Sequence, residues 1–151
     1  MPARPFLSTK PFDAAHPNAL AIYCSDGRFT DAVEELLHGL GHPRLDTLTM
    51  PGGPALFNAW LAGMSESMAI TRGARFLMES HGTRRAILVA HEGCGFYKKH
   101  YADASPADVR EHQEHDLRHA AGHLREHHPE VEVSLYLAVL DKGRVKFEPV
   151  G

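Results

Sequence analysis

Cysteine is scarce in this chain: its 151 residues hold two, Cys24 and Cys94, and no Cys-x-x-Cys pair. Dithiol redox chemistry therefore has no motif to stand on. Long apolar runs are missing too, since no stretch approaches the roughly 20 residues that span a bilayer. Basic charge is not in excess. Sixteen Lys and Arg against 19 Asp and Glu leave a net charge of -3, which argues against a nucleic-acid or anionic-membrane partner. Residues 1–18 contain Pro2, Pro5, Pro11 and Pro17 but lack the continuous apolar core of a secretory signal. They read as an extended N-terminal arm on a cytoplasmic protein. In that setting the two cysteines are expected to be reduced, with a Cys24–Cys94 disulfide as the alternative. No repeat, low-complexity tract or linker interrupts residues 19–151, which read as one domain.

What is present suits a soluble globular core, with 43% hydrophobic and 23% charged residues. The all-apolar run Ala19 to Tyr23 predicts a strand buried on both faces. Val33, Leu36, Leu37 and Leu40 predict a helix over Phe29 to Leu40, stopped at Gly41. Leu45 to Met50 predicts a second strand. Pro51-Gly52-Gly53-Pro54 turns the chain into a short helix through Ala55 to Ala62. A further helix is expected from about Ser65 to Ser80, with Met68, Ala69, Ala74, Phe76 and Leu77 as apolar positions.

Arg85 to Ala90 predicts the third strand, ending at His91, followed by a loop around Gly95 to Tyr101. Ser105 as N-cap and Pro106 at the first position start the longest helix, with Val109, Leu117, Ala120, Ala121 and Leu124 on its apolar side. Val131 to Val139 and Val145 to Val150 predict two antiparallel strands joined by Asp141-Lys142-Gly143. Strands alternating with helices imply a three-layer α/β fold with a mostly parallel sheet, order about 2-1-3-4, and a short antiparallel C-terminal edge strand. The ligand crevice of such a sheet lies beyond the carboxyl ends of strands at the order reversal. Here those are the strands ending at Cys24 and His91.

Cys24, His91 and Cys94 form a Cys2His set suited to tetrahedral zinc, with the fourth position left for water or substrate. Zinc lowers the pKa of bound water to about 7, which supplies hydroxide at neutral pH. Asp26 could orient that hydroxide or fill the fourth position itself. Arg28 could hold the Asp26 carboxylate through paired N–H donors.

The pair of motifs, Cys24-Ser25-Asp26-Gly27-Arg28 and His91-Glu92-Gly93-Cys94-Gly95, resembles the Cys-x-Asp-x-Arg and His-x-x-Cys-Gly motifs of the β-class carbonic anhydrases. The resemblance runs in order of elements from about Ala19 to the last strand. It implies zinc held by Cys24, His91 and Cys94, and a dyad of Asp26 and Arg28 beside the open position. The implied reaction is zinc-dependent, reversible hydration of carbon dioxide to bicarbonate by a carbonate dehydratase, a hydro-lyase working as a homodimer or larger homo-oligomer. The chain departs from the family pattern at Gly27 and Phe29, at Met50-Pro51-Gly52-Gly53 where Arg-Asn-Ala-Gly is usual, and in its brief arm. Phe29, Phe57, Phe96 and Tyr97 would either line the pocket or belong to the core.

Other readings of the same residues are a carbonyl sulfide or carbon disulfide hydrolase of this family, and a non-catalytic zinc-binding domain. A cysteine nucleophile with His91 as base is a third. The Cys24 to Arg28 spacing is too short for a phosphatase loop, and the Gly52-Gly53 turn lacks the Lys-Ser/Thr of a phosphate-binding loop. Among 12 histidines, His112, His115, His119 and His123 form a stripe opposite the apolar face of the long helix. It is expected to be solvated. His100 is the histidine best placed by sequence to shuttle a proton.

Overall fold

The computed structural model describes residues 1–151. Residues 1–18 contain no helix or strand. The elements that follow are β1 (Ala19–Cys24), α1 (Gly27–Gly39), β2 (Asp46–Met50), a 3-10 turn (Gly53–Phe57), α2 (Ala59–Ala62) and α3 (Met64–Ser80). Then come β3 (Arg85–His91), α4 (Gly95–His100), α5 (Pro106–His127), β4 (Glu132–Asp141) and β5 (Arg144–Pro149).

One five-stranded sheet runs in the order β2-β1-β3-β4-β5. All neighbouring pairs are parallel except the last, where Ala138 faces Phe147 across an antiparallel hairpin. Strand side chains alternate between faces, and this alternation divides the core in two. Leu20, Ile22, Ala86, Leu88 and Ala90 face α3 and α5, where Ile70, Ala74, Leu117 and Leu124 close over them. Ala19, Ala21, Tyr23, Ile87 and Val89 face α1, meeting Phe29, Val33 and Leu37. The sheet thus has helices on both faces, and Leu20, Ile22, Ile87 and Leu88 have no solvent exposure.

Three local features differ from the sequence expectation. The segment expected as a loop around Gly95 to Tyr101 contains α4, closed by Lys98 N–H to Cys94 O and Tyr101 N–H to Tyr97 O. Burial of Tyr97 in the core supplies what a six-residue helix lacks in intrinsic stability. The short helix expected over Ala55 to Ala62 is broken at Asn58, whose extended backbone ends the 3-10 turn and caps α2. Third, α3 presents Ser67, Ile70, Ala74 and Met78 to the core, while Met68 and Phe76 are exposed. Its apolar residues occur on more than one side of the helix, and Gly73, packed against the Leu48 side chain, marks the side that approaches the sheet.

The long helix begins as expected. The Ser105 side chain accepts from Asp108 N–H, and the Asp108 side chain accepts in return from Ser105 N–H. Its histidine stripe is less free than a solvated face. His112 stacks on Tyr101 at 3.9 Å, the His119 ring lies against Phe57 O at 3.3 Å, and His123 packs on the Phe57 ring. His115 is exposed.

Candidate metal centre

β1 and β3 are neighbours, so their carboxyl ends deliver Cys24 and His91 to one place. The chain after His91 turns through Glu92 and Gly93 and brings back Cys94 at the start of α4. One ligand atom from each of Cys24, His91 and Cys94 lies within 4.8 Å of the other two. The two sulfurs are 3.9 Å apart and unbonded. Two Zn–S bonds of about 2.3 Å at a tetrahedral angle place sulfurs about 3.8 Å apart.

His91 is oriented for the same role. Its Nδ1 meets the Glu92 carbonyl at 2.8 Å; a carbonyl only accepts, so Nδ1 carries the proton and Nε2 keeps its lone pair. Nε2 is buried and has no hydrogen-bond partner in the protein. An orphaned buried nitrogen beside two sulfurs is what a cation site requires. The donor set fits a metal ion, and two thiolates with one imidazole suit zinc.

Main-chain N–H groups of Gly52 and Asp26 approach the Cys24 sulfur, and those of Tyr97 and Phe96 approach Cys94. The hydrogen bond from Cys94 pushes the Cys24 thiol down to about 4, and the same contact together with burial pushes Cys94 up. A dication bound by both sulfurs would take the place of a thiol proton.

The turn before the 3-10 segment lies directly under Cys24. A Cβ on Gly53, at φ +50, would sit 2.7 Å from Cys24 N, and one on Gly52 would sit 2.8 Å from the Phe96 ring. Only glycine permits both approaches. Ser25 N–H also bonds Met50 O at 3.2 Å, tying the ends of β1 and β2.

Asp26 caps α1 by accepting Arg28 N–H at 3.0 Å. The Arg28 guanidinium meets the same carboxylate through Nε at 3.0 and 3.1 Å and Nη2 at 2.6 Å. These bonds hold the Asp26 carboxyl at about 2, so it is ionised near neutrality. Its Oδ2 is 3.9 Å from His91 Nε2, at the edge of the cluster. All five residues singled out in the sequence thus meet at one strand-end crevice. Phe29 packs at a tilt against the His91 ring, with centroids 4.2 Å apart, and Phe29, Phe57 and Tyr97 are core residues. His100 is committed elsewhere, with Nδ1 on Phe96 O at 2.8 Å and its ring against Phe96.

Two cavities flank Gly93. One of about 400 Å³ is lined by Arg28, Phe29, Glu92, Lys98 and Leu140; the other, about 440 Å³ and largely apolar, by Cys94, Tyr101, Val109, Gln113, Leu137 and Val139.

Sequence reasoning missed the polar residues beneath the site. Gln113 Nε2 donates to His91 O at 2.6 Å, while Asp116 accepts from Tyr97 and Asn58; Gln113, Asp116 and Tyr97 are 1, 2 and 1% exposed. The signal was legible, because positions 113 and 116 fall on the Val109, Leu117, Ala120, Leu124 side of an amphipathic helix.

No protein-family profile and no curated protein sequence matches the chain. Solved structures do. The β-carbonic anhydrase isoform I of Trichomonas vaginalis superposes with a TM-score of 0.59 at 17% identity, over 96% of this chain and 89% of that one. A tetrameric β-carbonic anhydrase of Sordaria macrospora gives 0.56 at 14%, over 89% and 81%. The Coccomyxa β-carbonic anhydrase, in complex with acetazolamide, gives 0.54 at 15%, over 90% and 74%. With its parallel sheet, its antiparallel edge and its Cys24–His91–Cys94 cluster, the chain has the fold of the β-carbonic anhydrases.

Proposed function

We propose that the protein is a zinc-dependent carbonic anhydrase that interconverts carbon dioxide and bicarbonate. The observation that carries this reading is the buried, unpartnered His91 Nε2 beside two sulfurs, with the ionised Asp26 carboxylate 3.9 Å away. Bound at Cys24, His91 and Cys94, zinc would supply a Lewis acid and a water of lowered pKa. Asp26 would accept a hydrogen bond from the attacking water and aim it. Arg28 keeps that carboxylate ionised and turned toward α1, which would leave room beside the three ligands for water or substrate. Phe29 limits the freedom of the His91 ring and screens it from water. The apolar cavity beside Cys94 suits an uncharged substrate, and the cleft holding Arg28 and Lys98 suits an anionic product.

Residues 19–151 would act as one zinc-binding domain preceded by the arm at 1–18. Thiolate ligands fit a reducing, cytoplasmic setting; no helix is long and apolar enough to cross a membrane. We read the protein as a homodimer or larger assembly, since Phe6, Leu7, Phe12 and Trp60 are more than nine-tenths exposed in the single chain.

Metal analysis of purified protein, with Cys24→Ser beside it, tests the site. One zinc per chain in the wild type and none in the variant is expected; absence from the wild type overturns the reading. Stopped-flow hydration of carbon dioxide tests the reaction. A zinc-loaded protein no faster than buffer would identify a non-catalytic binding domain, unless carbonyl sulfide or carbon disulfide is hydrolysed in its place.

A further inference from the structure

Gln113 and Asp116 stand one turn apart on the same face of α5, buried among Leu117, Ala120 and Leu124. Polar groups so deep are retained only where their partners hold them, and here every partner leads to a metal ligand. Gln113 grips the His91 main chain through its carbonyl, at 2.6 Å. Asp116 Oδ2 accepts from the Tyr97 hydroxyl at 2.6 Å, and the main-chain N–H of Tyr97 approaches the Cys94 sulfur. Asp116 Oδ1 accepts from Asn58 Nδ2 at 2.9 Å. Asn58 ends the 3-10 turn whose N-cap, Gly52, directs its N–H at the Cys24 sulfur.

We propose that Gln113 and Asp116 are positioning residues for the metal centre, setting from one turn of α5 the three segments that carry or support Cys24, His91 and Cys94. The inference rests on the zinc reading above. Neither side chain touches the cluster; each acts through a residue that does. α5 suits this role because it is 22 residues long, doubly capped at Ser105 and rooted in the apolar core, so it moves less than the loops it holds. Burial raises the Tyr97 phenol, which stays protonated and keeps donating to Asp116.

The test is cobalt substitution and zinc release, read on Gln113→Met, Asp116→Asn and the milder Tyr97→Phe, with Leu117→Ala as control. Leu117 is fully buried on the same turn, as a member of the apolar core. The three polar variants are expected to fold, to shift the visible bands of the cobalt protein, and to release zinc to a chelator about 10–100-fold faster. Leu117→Ala is expected to lower the melting temperature with bands and release unchanged. Wild-type bands and release rates in Tyr97→Phe and whichever of the other two folds would overturn the proposal, as would equal changes in Leu117→Ala. A wild-type chain that takes up neither cobalt nor zinc overturns the metal reading itself, a different result from variants that bind as the wild type does.

Discussion

Asp26 and Arg28 are joined by three side-chain contacts at 2.6 to 3.1 Å, and the same carboxylate caps α1 by accepting Arg28 N–H. One side chain thus starts a helix and stands at the rim of the metal cluster. Asparagine caps a helix about as well as aspartate does. Asp26→Asn is therefore expected to change stability by less than about 1 kcal/mol and to retain zinc, while carbon dioxide hydration falls at least about 100-fold, in the range of a lost general-base or orienting group. Stopped-flow rates beside zinc analysis check this; unchanged turnover would remove Asp26 from the reaction.

Gly53→Ala should be among the most damaging single-methyl changes in the chain. The added carbon would lie 2.7 Å from both Cys24 N and Tyr23 C, on a backbone at φ +50. Backbone atoms at the end of a central strand have nowhere to go. A loss of about 2 kcal/mol or more is expected from strain and overpacking combined, with weakened zinc retention because Cys24 must shift. Urea unfolding and metal analysis measure both.

Removal of metal should lower stability through linkage alone. At free zinc about 1,000-fold above Kd, the folded state gains about 4 kcal/mol that chelation withdraws. The melting temperature of the wild type should fall with chelator, and that of Cys24→Ser should not respond. A wild type whose melting is indifferent to chelator would contradict a ligand set confined to the native state.

Acid should weaken the far end of α5. Burial and the neighbouring His127 and His119 lower the His123 pKa below its ordinary 6.5, with His128 adding to this and Glu126 opposing it. Arg75 of α3 lines the same small cleft. A histidine with a lowered folded pKa takes up protons more readily when unfolded, so its contribution is intact above 6.5 and declines as pH falls below it. Urea midpoints at about pH 7.5 and about pH 5 should differ less in His123→Leu than in the wild type. An equal difference in both would assign the acid sensitivity elsewhere.

The path of the chain was legible where pattern and chemistry agreed. Ala19 to Tyr23 is apolar at every position because β1 lies between β2 and β3 with helices on both faces. Ser105 and Pro106 announced α5, and the paired motifs located the Cys24–His91–Cys94 cluster because thiolates and imidazole at strand ends have few other uses. Periodicity was less informative where apolar residues occur on more than one side of a helix: Ile70 and Met78 of α3 are buried while Met68 and Phe76 face outward. α4 stayed hidden because its stability comes from Tyr97 in the core rather than from local preference. The residues under the site were legible as misfits on an apolar helix face, though not as supports. A Gln and an Asp within an apolar stripe have meaning only once His91 O and the Tyr97 hydroxyl are seen to face them.

The two sulfurs stand 3.9 Å apart across 70 residues of sequence. Between them the chain must complete β2, cross over through α3 and lay β3 against β1 in parallel register. Such non-local pairing is slow, because the loop has to close before any contact rewards it. Thiol proximity therefore depends on the β1–β3 pairing: a nascent chain with β1 and α1 formed but β3 still to come holds one lone cysteine and no competent site. Metal capture would then select chains whose central strands have already found each other.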